Sequence, residues 1–485
     1  MAEPRPDGDD HDPSGVVADT LRAVRDTQDR PGVHLRLFGS KVFFRLWLAQ
    51  VVSGLGDWLG FLALVVLAQR VNPGAPGSSV GLVMAARIVP GFFFAAGAGV
   101  LIDRMDRKQV MVVTNGVRAL VVASLPFVDS VLGLVFASLV LEVATLFFTP
   151  AKEASVPNLV PPENLTTANS LSLAAAYGTF PVASALFAGL SALANWLGDL
   201  DLVDGLRISQ ESVALYVNAA TYVVAALVIA TLPISRDHMR ERSDDRRIDL
   251  GDVFRDVKEG WQHIFLNPVV RAVNIGLATG LIGGGMLVPL GPVFSNEVLD
   301  EGTTGFGIFT FSLGLGVALG VVALSVVQAR LPKARVFAGS VIGAGAALLT
   351  AASMSSLLLS ALFVGLMGVF AGSVYVLGFT LLHENVGDEL RGRVFSGLYT
   401  LVRLCVLIAF AVGGPISDLL DGLSRRLVDR EIHVGTFDIG VPGVRLTLWL
   451  AGLIMFGAGA LAALSLRAGA ARRSAAADGT GGDVP

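Results

Sequence analysis

The chain has 485 residues, 53% hydrophobic and only 16% charged, with a mean hydropathy of +0.67; soluble domains run nearer a quarter charged, so this composition belongs to a membrane protein. A single cysteine, Cys405, excludes an intrachain disulfide and any cysteine-held zinc or iron–sulfur centre. The 36 basic and 40 acidic residues give a net charge of −4, which offers nothing to nucleic acid, so the placement of the charges carries the information.

Residues 1–40 carry Asp7, Asp9, Asp10 and Asp12 among prolines, with no apolar core of their own, and read as a cytoplasmic tail. A short amphipathic helix is expected near Val16–Asp29. Beyond it, apolar runs of about 20 residues, the length that crosses a bilayer core, start near residues 42, 79, 109, 131, 165, 212, 269, 303, 335, 356, 394 and 444. The reading is an all-α membrane protein with twelve transmembrane helices, divided as a first six-helix half over 41–233, a cytoplasmic linker over 234–268 and a second six-helix half over 269–468. A polar tail, read as cytoplasmic and disordered, fills 469–485.

Charge orients these spans. The turns after even-numbered spans hold Arg104, Lys108, Lys152, Arg240, Arg247, Arg330, Lys333, Arg391 and Arg393, whereas those after odd-numbered spans are mostly acidic. Arg207 and the group Arg425, Arg426 and Arg430 are the exceptions. Cations accumulate on the cytoplasmic side, so both termini are expected there. The stretch from Ser417 to Arg445 is longer than a turn needs, and REIHVGTFDIG within it alternates like a small hairpin, an expected lid with Leu206–Ser209.

An internal repeat supports the division. Val160, Glu163 and Ser170 match Val386, Glu389 and Ser396 at an offset of 226, Gly54 falls on Gly280 at 226, and Lys108 falls on Lys333 at 225. Repeated helical halves are a transporter architecture, with the substrate site at their interface near mid-membrane.

Between spans two and three runs GVLIDRMDRKQVM, Gly99 to Met111. Gly99 and Asp103 are four residues apart and share a helical face, which allows a neighbouring helix to bring its positive N-terminal end against the Asp103 carboxylate. The stretch resembles the loop signature G-x-L-x-D-R-x-G-R-K of the major facilitator superfamily, matching Gly99, Asp103, Arg104, Arg107 and Lys108 and departing at Asp106, where the signature has glycine. Phe44–Gly60, Thr149–Ser170 and Ala214–Leu227 are similar to the exporter branch that contains macrolide and siderophore efflux proteins. The resemblance implies the two-half facilitator fold, a cytoplasmic gate at the five matched residues, and contact of Asp103 with span eleven in the outward-open state. In the second half Gln328 replaces the acid, so that latch is one-sided.

Ionisable groups inside a span cost at least about 2.5 to 3.5 kcal/mol each, so each needs a partner, water or a function. Five qualify: Asp57, Arg87, Arg118, Glu142 and Arg403. Helical rise places Arg118 and Glu142 at similar depth on adjacent spans, so Glu142 is read either as a permanent partner of Arg118 or as a titrating group. Asp57 is the favoured proton carrier, and the resemblance places both acids on the central cavity. The repeat equivalents of Asp57, Arg118 and Glu142 are Gly283, Ala344 and Gly368, so charge chemistry is confined to the first half. No histidine falls in mid-span, which excludes a histidine relay.

In the second half Gly276, Gly280 and Gly284, Gly316 and Gly320, Gly339 and Gly343, and Gly368 and Gly372 repeat at helical spacing, as expected for close packing. Gly283–Gly285 followed by Pro289 is expected to break span seven. Phe92–Phe94, Phe147 and Phe148 could wall an apolar pocket.

The expected function is export of small apolar or amphipathic organic compounds, drug-like or siderophore-like, by proton antiport with alternating access. The alternatives are an importer or lipid flippase on the same fold, and a non-transporting scaffold or sensor. The absence of a nucleotide loop, an HExxH motif or a Ser-His-Asp set at one depth argues against an enzyme. No cofactor is expected beyond the proton gradient, and the expected partners are a substrate and membrane lipid, with the chain acting as a monomer.

Overall fold

In a computed structural model the described residues are 38–94, 105–198, 209–233, 267–434 and 437–479. Gly99, Asp103, Arg104, the N-terminal tail to residue 37, residues 234–266 of the linker and most of Leu206–Ser209 lie outside them. Among the described residues twelve helices are long and apolar enough to cross a membrane: Lys41–Val71, Pro76–Phe94, Arg107–Phe127, Val131–Asn158, Pro162–Trp196, Gln210–Ala230, Pro268–Glu297, Gly302–Val327, Lys333–Ser353, Leu357–Asn385, Gly392–Val428 and Gly443–Ala468. They are spans one to twelve below. Each begins within three residues of its sequence-based start. The backbone helix of span twelve runs on to Gly479, past the boundary drawn at Gly469.

Local chemistry sets the helix ends. Ser40 caps span one by accepting from the amides of Val42 and Phe43 at 3.1 and 3.4 Å. Asp106, the departure from the signature, is the N-cap of span three and accepts from the amides of Lys108 and Gln109 at 2.9 and 3.2 Å. Span two is interrupted: its first helix, Pro76–Ala86, ends in a turn over Arg87 and Ile88 before helix resumes to Phe94. Pro90 supplies the reason, since it has no N–H to continue the ladder.

Span seven corrects the expected break. The helix continues through Pro289 and Pro292, and the irregularity is a π-helical segment at Ile275–Thr279. Gly283 and Gly285 instead admit neighbours: a side chain at Gly283 would run into the Ala451 carbonyl, and one at Gly285 would meet Ala409 at 2.9 Å.

The second correction concerns span eleven, which stays helical to Val428 where a loop from Ser417 was expected. Asp421 and Arg425 pair one turn apart at 2.8 Å along this extension. The hairpin is present beyond it, with β1 at Glu431–Val434 antiparallel to β2 at Phe437–Gly440. Arg430, between span and hairpin, donates to Asp421 at 2.6 Å, a hydrogen bond that holds its guanidinium proton above the ordinary range.

Spans one, three, four and six pack chiefly within the first group and spans seven, nine, ten and twelve within the second, while span two packs mainly on span eleven and span five packs on span eight as well as on its own group. In the second group the glycine stripes are the contact: a side chain at Gly316 or Gly320 of span eight would strike the carbonyls of Gly365 and Val369 of span ten. Reciprocally, Gly368 and Gly372 face the carbonyls of Leu313 and Val317. Polar groups serve in the first group. Trp47, Gln50 and Trp58 of span one donate to the carbonyls of Leu171, Ser172 and Ala176 of span five at 2.8, 3.1 and 2.9 Å.

The two groups meet toward the end that carries the hairpin. Gly77 of span two lies on Gly414 and Asp418 of span eleven, Gly81 on the Phe410 carbonyl, and Gly307 of span eight on Ala188 of span five. Phe187 and Phe306, both fully buried, meet edge to face at 6.3 Å. Ser78 donates from its amide, at 3.0 Å, and from its hydroxyl to the Asp418 carboxylate. Among the described residues, this is the one hydrogen-bonded pair joining the groups, and it lies at the hairpin end. The opposite end, where residues 234–266 leave, is the linker end.

Candidate functional site

Four of the five mid-span ionisable residues, Asp57, Arg87, Arg118 and Glu142, belong to spans one to four. Asp57 follows Gly56 on span one, where Gly56 and Gly60 let span six approach until a side chain at either position would strike Thr221 or Asn218. That closeness delivers Tyr222, whose hydroxyl donates to Asp57 Oδ1. Arg118 of span three approaches the same oxygen at 3.8 Å. The two partners differ in burial: the Asp57 side chain is 42% exposed and that of Arg118 2%.

Arg118 is held in an aromatic slot, with its guanidinium 4.2 Å from the Phe148 ring centre and 4.7 Å from that of Tyr222. It donates to Asn115 Oδ1 at 2.5 Å, while its Nε makes no hydrogen bond. The permanent Glu142–Arg118 pair is therefore not formed. Depth alone suggested it, but the side chain of Arg118 turns toward spans one and six, and depth says nothing about rotation around a helix axis.

Glu142, half-buried on span four, has no ion-pair partner within 4 Å among the described residues. The charges that act on it come from three other spans: Arg87, Arg403 and Asp57. Arg87 sits at the end of the Pro76–Ala86 helix, where unsatisfied carbonyls favour a cation, and lies 5.9 Å from the Phe61 ring centre. Arg403, the contribution of span eleven, is exposed. The charge chemistry is thus not confined to the first six spans, because Arg403 reaches the field of Glu142 from the other group.

Of the gate residues, Arg107 donates to the Ala154 carbonyl at 2.8 Å and Lys108 to the Leu232 carbonyl at 2.9 Å. Both cations sit at helix C-terminal ends, where the backbone dipole favours them. Gln328, in place of the acid, accepts from Thr380 at 3.3 Å, and Lys333 pairs with Glu384.

Sequence reading missed several residues that the fold brings together. Lys152, assigned to a turn, lies in the last turn of the helix of span four, among Glu153, Asp57 and Arg118. On spans ten and eleven, Tyr375, Phe379, Phe395 and Tyr399 form one aromatic surface, with ring centres 4.7 Å apart for Tyr375–Phe379 and 6.3 Å for Phe379–Tyr399. Tyr375 and Tyr399 are 57% and 52% exposed, and Tyr177 of span five, 66% exposed, lies near Tyr375 on the facing group. Scarcity was the available signal: of the chain's 5 tyrosines, four are in these two clusters. Phe148 packs on Arg118 instead of walling a pocket, and Phe92, Phe93 and Phe94 are exposed.

Toward the hairpin end a recess of about 650 Å³ lies between the groups, lined by Gln69, Asn195, Asn296, Glu297 and the Arg70–Glu211 pair, 2.5 Å apart. On spans one and six, which it shares with the Asp57 cluster, its lining residues Val66, Gln69, Arg70, Gln210 and Glu211 stand apart from Asp57 and Tyr222.

Residues 46–410 match the model of the Major Facilitator Superfamily. The chain belongs to that superfamily. Its members are transporters, not enzymes, and with twelve crossing helices this is a multi-pass membrane protein. The chain is 26% identical over 391 residues to a putative bacilysin exporter, BacE, of Bacillus subtilis, covering 78% of this chain and 88% of the relative. It is 22% identical to the multidrug efflux pump Tap of Mycolicibacterium fortuitum, covering 76% and 88%, and 23% identical to macrolide efflux protein A of Streptococcus pyogenes, covering 78% and 89%. Among solved structures, a bacterial homolog of the human lysosomal transporter Spinster, inward-facing and unoccupied, superposes with a TM-score of 0.65 at 14% identity, over 88% of this chain and 97% of that one. The nucleoside transporter NupG gives 0.64 at 13%, over 88% and 99%. These likenesses establish the superfamily fold and a set of efflux-type relatives.

Proposed function

We propose that the protein exports small amphipathic organic compounds, drug-like or siderophore-like, across the cell membrane by alternating access, in exchange for protons. Both termini and the linker end face the cytoplasm, as the excess of cations on that side indicates. The halves meet at the hairpin end, so the described conformation is closed toward the outside. The efflux names carried by the relatives support the direction.

One observation carries the coupling: the Asp57 side chain is 42% exposed, yet it meets a buried guanidinium and a tyrosine hydroxyl. A carboxylate placed so exchanges one neutralising partner for another as the gap opens to either side, Arg118 in one state and a proton in the other. Glu142, Arg87 and Arg403 complete the field around it.

The test is transport in proteoliposomes with and without an imposed pH gradient. Gradient-driven accumulation in the direction opposite to the proton flow supports the reading. Movement in the same direction as protons identifies an importer, and no movement of any solute refutes a transport role.

A further inference from the structure

Spans two and eleven are antiparallel and touch at two glycine contacts, Gly77 on Gly414 and Gly81 on Phe410. From Gly81 to Arg87 and from Phe410 to Arg403 is about 9 to 10 Å of helix toward the linker end on each span. Arg87 and Arg403 therefore reach one level on the two sides of the gap, where Glu142 shares their field. Arg403 and Phe410 are seven residues apart on one helical stripe, so Arg403 projects from the face that packs on span two.

The charges do not cancel locally. Asp57 has Arg118, and Arg87 has the carbonyl end of its own helix and the Phe61 ring. What remains is Glu142 on one half and Arg403 on the other, each without an ion pair within 4 Å among the described residues, facing across the gap. Beside Arg403 on the second half stands the exposed surface of Tyr375 and Tyr399.

We propose that the gap binds a zwitterionic amphipath, its ammonium on Glu142, its acid group on Arg403 and its apolar body against Tyr375 and Tyr399. This rests on the exporter reading and names its substrate class. A molecule with one charge satisfies one end of the site and leaves the other desolvated, whereas a zwitterion satisfies both and joins the two halves. A bound ammonium adds positive charge to the field that Glu142 shares with Asp57 and so opposes a proton on Asp57, which gives antiport its required exclusion. Arg87 and Asp57 are the other charges that act on Glu142.

The experiment measures binding of 4-phenyl-L-phenylalanine, its N-acetyl derivative and its methyl ester to the full-length protein in lipid nanodiscs. The free amino acid is expected to bind at least about tenfold more tightly than either derivative, the effect of one charge-assisted hydrogen bond. Glu142→Gln removes the discrimination against the N-acetyl form and Arg403→Gln that against the ester, while Arg403→Lys retains it. Tyr399→Leu weakens all three. Equal binding of the three probes by the wild type, binding of none, or discrimination unchanged in both neutral variants overturns the proposal. Proton-driven efflux of a Hoechst dye from proteoliposomes of the same protein tests the exporter reading separately: dye movement without probe discrimination refutes the substrate class alone, and no dye movement refutes export as well.

Discussion

Asp57→Asn removes one charge and almost no volume, and the amide keeps an oxygen that can still accept from the Tyr222 hydroxyl. The loss falls on Arg118, which is buried and left with Asn115 and the faces of Phe148 and Tyr222. Removing one partner of a fully buried pair costs about 3 to 5 kcal/mol. Here the contact is long, 3.8 Å, and the Asp57 side chain is 42% exposed, so a destabilisation of about 1 to 2 kcal/mol is expected after screening. The double variant Asp57→Asn with Arg118→Met should recover about 1 kcal/mol of that loss, read as a coupling energy in thermal or denaturant unfolding. The transport consequence is larger. One proton moving through 100 mV supplies about 2.3 kcal/mol, which sustains roughly a 50-fold solute gradient. In proteoliposomes the wild type should approach that ratio and Asp57→Asn should only equilibrate. A folded Asp57→Asn protein that still reaches the wild-type ratio would refute the assignment of this carboxylate as proton carrier.

Gly320→Val places a branched side chain against the Val369 carbonyl, so it should abolish recovery of folded protein, whereas Gly339→Ala, with nothing within 4 Å, should leave the melting temperature unchanged or raise stability by up to about 1 kcal/mol. Size-exclusion profiles after heating distinguish the two, and equal behaviour would count against the backbone contact between spans eight and ten. Asp418→Asn weakens two hydrogen bonds at the start of span two by a total of about 1.5 to 3 kcal/mol and should favour opening at the hairpin end. An impermeant maleimide then reacts faster with a cysteine introduced by Ala188→Cys, a position covered by Gly307; Cys405 is buried and contributes little background. Labelling rates that do not change on Asp418→Asn would show that the pair is not a latch.

The spans were legible because a bilayer demands long apolar runs, and the polar residues between them are sparse enough to mark each turn. REIHVGTFDIG was legible for a related reason: alternation is a backbone property, so β1 and β2 follow from it without tertiary information. The glycine stripes on spans eight and ten likewise state their own packing. What the chain did not reveal is rotation about helix axes. Arg118 and Glu142 lie on neighbouring helices, yet Arg118 turns to Tyr222 and Phe148 and leaves Glu142 without an ion-pair partner among the described residues, and only packing of six helices together decides that. The π-helical turn at Ile275–Thr279 was equally hidden, since no proline marks it, while Pro289 and Pro292 announce a break that does not occur. Span eleven was read as ending too soon because Asp418, Asp421, Arg425 and Arg426 look like a loop, although their spacing is helical.

The seam between the halves at the hairpin end is built from Gly77 on Gly414, Gly81 on a carbonyl and Gly307 on Ala188. Main chain rests on main chain there, with few long side chains threaded from one surface into the other. Such a joint parts and re-forms with little side-chain rearrangement: Phe187 must leave Phe306 and Ser78 must release Asp418, and the rest is backbone lifting off backbone. The slow event of the cycle should then lie elsewhere, at the end where cargo and proton are exchanged.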